Sequence, residues 1–225
     1  MQFFERLFAE TRMEREAFIG TPVIQRALRQ GVPVGMYIAF LGQAYHHVRH
    51  TCRLLSTAAA RCTDRDQRYI NALLEYIGEE RGHEEWILDD IRALGGDAES
   101  VRSGQGDLPC RLMVAYVYYA IEHVSPYAML GMVHVLEGMS AALATAAAGT
   151  LKSTLGIQDG RGFSYLGSHG SLDQEHVAFF RDLVNGIEDP VAQDAIIETA
   201  RVVYRLYGDM FSGIEARFTG LGHAA

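Results

Sequence analysis

The chain has 225 residues, 48% of them apolar and 10% aromatic, which is enough for one well-buried core and too few for two ordinary domains, so a single domain over residues 1–225 is expected. A net charge of −8, with basic residues scattered among acids, excludes the clustered positive surface that a nucleic-acid binder presents. Three cysteines, Cys52, Cys62 and Cys110, make neither a disulfide framework nor a close-spaced zinc pattern, and a reducing cytoplasm suits them.

Met1-Gln2-Phe3-Phe4-Glu5-Arg6 meets an acid before any long apolar stretch, so no signal peptide is expected. Phe3, Phe4, Leu7 and Phe8 start an amphipathic helix that runs to near Gly20, and Pro22, tolerated in a first helical turn, opens a short helix to Arg29. Gly31 and Pro33 break the chain. A long helix then follows from Gly35 to Ala60, and Thr63 with Asp66 forms a capping-box-like start for another that reaches Leu94, where Gly95 and Gly96 stop it. Asp97 to Leu108 reads as a polar connector. Pro109 opens a helix through His123, and Ser125-Pro126 separates it from a further helix that ends near Gly149. Thr150 to Gly170 is rich in glycine and polar residues, which points to weakly stable turns and a mobile element. Helices resume from about Ser171 or slightly earlier to Asn185, and from Pro190 to about Phe218. Apolar residues recur every three or four positions almost throughout, alternating stretches are absent, and the expected fold is therefore all-α. The longest apolar run, Leu112 to Ile121, is about half of the ~20 residues that span a bilayer, so no membrane insertion is expected.

Three sets of candidate metal ligands sit on these elements. His169, Asp173 and His176 form H-x-x-x-D-x-x-H, and offsets of four and seven put all three on one stripe of a helix. Glu80 and His83 form E-x-x-H, with both side chains on one helical face. Glu137 stands alone inside the apolar run Met132 to Met139. Imidazole and carboxylate suit divalent iron, manganese or zinc, and these six ligands are enough for two ions with positions left for dioxygen or substrate. Each has a plainer reading. Glu80 and His83 neighbour Glu79, Glu84 and Glu85, as a solvated charged face would. Glu137 is harder to explain away, because an ionised carboxylate buried without a partner costs several kcal/mol. No lysine or arginine occurs between Arg111 and Lys152, so its partner must come from another helix or from a metal.

In order and type, Glu80, His83, Glu137, His169, Asp173 and His176 resemble the ligand pattern of the haem-oxygenase-like diiron oxidases and oxygenases, within the superfamily that includes the thiaminase TenA and the quinone synthase PqqC. That family's pattern is a Glu and a His on one core helix, a lone Glu on a later one, then H-x-x-x-D-x-x-H on a third. The resemblance runs from about Gly35 to the C-terminus. It implies a single-domain helical bundle of about seven or more helices. It also implies two non-haem irons per chain, with manganese and iron together as the variant, and Glu137 as the bridge between them. The implied chemistry is dioxygen activation against a small acid or amine, for example oxidation or decarboxylation of a fatty acid or amino acid, with an external electron donor and a homodimer. Sister branches fit less well. Thiaminase-like members use a cysteine on the helix corresponding to that of Glu137, and no cysteine follows Cys110. The cofactorless quinone synthase has no need of Glu137. A haem oxygenase needs an axial histidine on an early helix; His47 and His50 with Gln43 make a polar stripe there, which reads as a hydrogen-bonded or solvated face. The alternatives kept open are a metal-free enzyme of the TenA/PqqC kind and a small-molecule-binding protein of the same fold. The glycine-rich stretch before His169 reads as a lid and hinge, and metal binding is expected to be coupled to the ordering of the helix of His169, Asp173 and His176 that follows it. An apolar substrate channel is expected near Met129, Met132, Val133, Tyr116 and Tyr119.

Overall fold

The computed structural model describes residues 1–171 and 173–220, the side chains of 168–175 excepted, and every regular element among them is a helix. In chain order these are α1 (Phe3–Glu10), α2 (Arg12–Ile19), α3 (Pro22–Arg29), α4 (Val34–Val48), α5 (Thr51–Arg61), α6 (Gln67–Glu80), α7 (His83–Ala93), α8 (Ala98–Ser103), α9 (Leu108–His123), α10 (Met129–Leu155), α11 (Ser164–Ser171), α12 (Asp173–Asn185) and α13 (Pro190–Gly220). The all-α expectation holds, with shorter pieces than the periodicity suggests. The first expected helix breaks at Thr11, whose buried hydroxyl donates back to the Leu7 carbonyl at 2.7 Å. The Gly35 to Ala60 helix is two, divided at Arg49 and His50. Thr63 and Asp66 do cap as expected, the Thr63 amide donating to Asp66 Oδ2 at 2.8 Å. The helix they start nevertheless stops at Glu80. Gly82 takes a left-handed conformation, φ 97°, and α7 begins anew at His83. The connector after Asp97 contains the short α8, whose Ser100 amide donates to Asp97 Oδ1 at 2.9 Å.

α10 is the axis of the molecule. It packs on α13, α11, α12 and α3, and the apolar core that surrounds it includes Leu7, Leu41, Leu73, Ile91, Val135 and Ile196. It crosses α13 closely at Gly131. A Cβ there would lie 2.5 Å from the Ile196 carbonyl oxygen and 2.7 Å from Thr199 Cβ, so the crossing requires a residue without a side chain. The stretch Pro126–Leu155 is long and apolar enough, by length and composition, to cross a bilayer, and 56% of its most apolar window is buried inside the protein. Apolarity on this scale is what a helix surrounded by other helices needs.

The glycine-rich region departs most from expectation. α10 continues to Leu155 and ends on Gly156, φ 68°, in a left-handed cap. After a short turn, α11 starts at Ser164. Its first amides find acceptors far along the chain: the buried Asp90 of α7 accepts from Ser164 N at 2.9 Å and Ser164 Oγ at 2.6 Å through Oδ1, and from Tyr165 N at 2.8 Å through Oδ2. These are the donors that a helix N-terminus leaves unpaired. Tyr37 adds a bond from its hydroxyl to the Gly162 carbonyl at 3.0 Å and stacks on Phe163 with ring centroids 4.9 Å apart. Ser164–Ser171 is therefore a tethered helix where the sequence suggested mobile turns.

Candidate metal centre

Between α3, α4, α6, α10, α11 and α13 lies a cavity of about 170 Å³. Most of its wall is aliphatic or aromatic, and two carboxylates, Glu80 and Glu137, border it. They arrive by different routes. α10 carries Glu137 about one turn beyond Met132 and Val133, which are buried and line the same wall. α6 ends on Glu80, and the turn through Gly82 folds His83 back towards it: His83 Nδ1 lies 3.3 Å from Glu80 Oε2, an ion-pair distance, with both side chains largely shielded from solvent. The expectation that Glu80 and His83 share one helical face is thus corrected. They belong to successive helices, and the left-handed glycine brings them together.

The second ligand group is placed in part. His169 lies on α11, and Asp173 and His176 lie on α12; Leu172 between them, and the side chains of His169 and Asp173, fall outside the described residues. His176 is half-buried, with Nε2 at 3.5 Å from Glu79 Oε2. Glu79, which the sequence reading took for plain surface, is therefore the acid that His176 meets. Among the described residues no group of three or more histidine, cysteine or acidic side chains is drawn together closely enough to hold a metal ion. What the described part contributes is a donor set of suitable chemistry: two carboxylates on the wall of a largely apolar cavity, with an imidazole against one of them.

Among the further polar side chains that line this cavity are His47, Tyr76 and Tyr165. His47 on α4 is 1% exposed and lines it, its ring meeting Tyr207 edge-on at 5.8 Å. The solvated-face reading thus fails for His47. It succeeds in its hydrogen-bonded form for His50, whose Nδ1 lies 3.3 Å from the Tyr118 hydroxyl, and for Gln43, which accepts from the Asp107 amide at 2.8 Å. Tyr76 on α6 and Tyr165 on α11 also line the cavity. Burial raises both phenols well above their ordinary value. For Tyr76 the negative charge of Glu137 adds to burial, followed by Glu79; for Tyr165 the charges of Tyr207 and then Glu80 do so. Among the residues expected to form an apolar channel, Met129, Met132 and Val133 line it, whereas Tyr119 is 57% exposed on the outer face of α9 and Tyr116 is absent from the lining. All three cysteines are free thiols.

Known proteins set this geometry in context. A sequence description of the family of iron-containing redox enzymes matches residues 38–208, about three quarters of the chain. The fold is similar to that of a domain of unknown function with a heme oxygenase-like fold from Shewanella denitrificans OS217, at 17% identity and a TM-score of 0.87 over 99% of this chain and 96% of that one. It is also similar to a TenA homologue from Pseudomonas syringae pv. tomato str. DC3000, at 9% identity and a TM-score of 0.80 over 94% and 92% of the two chains. A heme oxygenase from Leptospira interrogans shares 16% identity at a TM-score of 0.75 over 95% of this chain and all of that one. No functionally curated protein matches by sequence.

Proposed function

The chain belongs to the family of iron-containing redox enzymes, and on that premise we propose that it holds two non-haem ferrous ions and activates dioxygen against a substrate that lies along the α10 cavity. Glu80, His83, Glu137, His169, Asp173 and His176 would hold the metal, with Glu137 between the two groups. The observation that carries this reading is the pairing of Glu80 and Glu137 on a wall that is otherwise apolar. Partly shielded carboxylates on an apolar wall suit a cation, and iron is the cation of the family. When bound, iron supplies the reactivity towards dioxygen and can alternate oxidation states. The protein's part is to shape and dry the site. The lining residues of α10 run from Met129 to Leu151, and the stretch from Glu137 to Leu151 alone spans about 21 Å at the helical rise of ~1.5 Å per residue. A long apolar substrate with one polar end next to the carboxylates suits that shape. Water excluded by Met132, Val133 and Leu136 cannot compete for the polar end.

Anaerobic titration of metal-free protein with ferrous iron, followed by oxygen, tests the reading. Uptake of about two irons per chain and an oxygen-dependent visible band support it; uptake of one iron or none, without a new band, overturns it. One observation favours a second reading, in which His47 is the axial ligand of a haem: it is fully buried and faces the cavity. Hemin added to the metal-free protein would then give a sharp Soret band that His47→Ala abolishes. Glu80 and Glu137 on the same cavity weigh against this, since two anionic oxygen donors suit hard iron ions better than the apolar face of a porphyrin.

A further inference from the structure

Tyr76 sits one helical turn before Glu80 on α6, on the same face, and is 2% exposed. Its ring packs edge-on against Phe179, centroids 5.4 Å apart at 70°, and the residue lines the cavity. Among the described residues that hydroxyl has no hydrogen-bond partner, although Glu137, Glu79 and Glu80 are near enough for their charges to bear on it. A buried hydroxyl without a partner costs free energy that a folded chain seldom tolerates outside a functional site. Two other buried tyrosines show the contrast: Tyr37 donates to the Gly162 carbonyl and Tyr69 donates to the Pro126 carbonyl at 2.9 Å.

We infer that Tyr76 is the substrate-orienting donor of the cavity, its hydroxyl donating to a carboxylate or carbonyl oxygen at the polar end of an apolar-chain ligand. This deepens the proposed function and rests on it, choosing an acid-type end over an amine. An ammonium carries three donors and no acceptor, so it leaves the Tyr76 O–H unsatisfied, whereas a carboxylate oxygen completes it. The two cavity glutamates repel a carboxylate unless cations offset them, so the metal-loaded protein is the form that binds the acid. The chain of the ligand lies against Met132, Val133, Leu136, Leu143 and Leu151.

The test compares wild type with Tyr76→Phe, both loaded anaerobically with ferrous iron, by calorimetric titration with decanoate and with decylamine. The expected result is a loss of about tenfold in decanoate affinity, the worth of a hydrogen bond to a charged group, with decylamine changed less than twofold. The melting temperature of the ligand-free variant stays level or rises, because the substitution removes an unpaired hydroxyl and keeps the ring. Equal decanoate affinities overturn the inference. So does a variant that melts lower and binds both amphiphiles more weakly, which marks Tyr76 as structural, and so does a wild type that binds neither. Iron uptake measured on the same samples separates the two claims. If the wild type takes up no iron, the functional reading fails and the inference that rests on it falls with it; if iron is taken up and the two decanoate affinities are equal, the inference alone is overturned.

Discussion

The two carboxylates of the candidate centre reach the cavity by opposite means. Glu137 rides on an unbroken helix of 27 residues, its position fixed by the packing of α10 against α13, α11 and α3. Glu80 is the last residue of its helix, and its companion His83 is the first residue of the next, joined through a glycine at φ 97°. A continuous helix sets direction through many small packing contacts, so no single neighbour decides where Glu137 points. A broken helix concentrates the decision in one or two backbone angles. The first arrangement resists local change, and the second is set, and can be undone, at Gly82.

The largest expected effect is on the side chain that the rigid arm delivers. Glu137→Ala leaves α10 intact and removes the acid, so stability should hardly fall, while under the proposed function iron affinity should drop by at least the ~10–100-fold typical of losing an outer-shell partner. Metal analysis after anaerobic loading, beside a urea melt, reads both; full iron uptake by the variant would remove Glu137 from the ligand set. Next comes Asp90→Ala, which deletes the acceptor of three bonds from the start of α11 and should cost about 3–4 kcal/mol in urea unfolding. It extends the comparison to a third arm, one whose anchor is a distant side chain. A loss under ~1 kcal/mol would mean that α11 is held by its apolar contacts and that water can replace Asp90.

The histidines of the two arms differ as the arms do. His83 lies against an acid; His134, one turn before Glu137, is 6% exposed, with Thr11 Oγ1 at 3.5 Å, the rings of Phe180 and Tyr204 around it, and Arg15 as the nearby charge. Burial first, and the Arg15 cation second, lower its pKa to about 4. The unfolded chain, with the ordinary value near 6.5, therefore binds the proton more readily. Stability from this group is complete above about pH 6.5 and is lost as pH falls towards 4, by up to ~3 kcal/mol in all. Carboxylates also titrate in acid, so the informative quantity is the difference between wild type and His134→Gln in urea unfolding from pH 7.5 to 4.5. Parallel curves would show that His134 is not the group that makes the rigid arm acid-sensitive.

Helix class and the family pattern were legible in the sequence because they depend on periodicity and on residue order. The breaks were legible only where glycine or proline marks them. Arg49 and His50 carry no such mark, and the Gly35 to Ala60 helix was read as one. α11 was missed because its stability comes from Asp90, 74 residues away, and local propensity knows nothing of that partner. Glu80 and His83 were found for a reason that the structure replaces: the spacing was right, but a turn and not a helical face makes them meet. Tyr76 gave no signal, and His47 was noticed in a polar stripe but read as a hydrogen-bonded or solvated face, since a tyrosine or histidine on an apolar helix face has the same spacing whether it packs in a core or faces a cavity. His169 and Asp173 were chosen on spacing with His176, and their side chains lie outside the described residues.

Gly82 is where the comparison can be broken with one methyl group. A Cβ added there meets no atom within 4 Å, so crowding contributes nothing to the outcome of Gly82→Ala. The cost is conformational: a left-handed angle is open to glycine and disfavours any L side chain by about 1–2 kcal/mol. The chain can accept that cost, or relax the turn and carry His83 away from Glu80. These outcomes separate in a paired measurement. Lower urea stability with unchanged iron uptake means that the turn holds its angle under strain and the flexible arm is stiffer than its geometry suggests. Nearly unchanged stability with weakened iron binding means that the turn relaxes and that the left-handed angle exists to place His83. Gly82→Asn sharpens the distinction, because asparagine tolerates the left-handed region better than alanine and should restore whichever property alanine lost. The same substitution at Gly138, helical and beside Glu137, adds a Cβ that also meets nothing within 4 Å, and should stabilise α10 by up to ~1 kcal/mol with iron uptake unchanged. Opposite responses to one substitution on the two arms would establish that the centre is positioned by packing on one side and by a single backbone angle on the other.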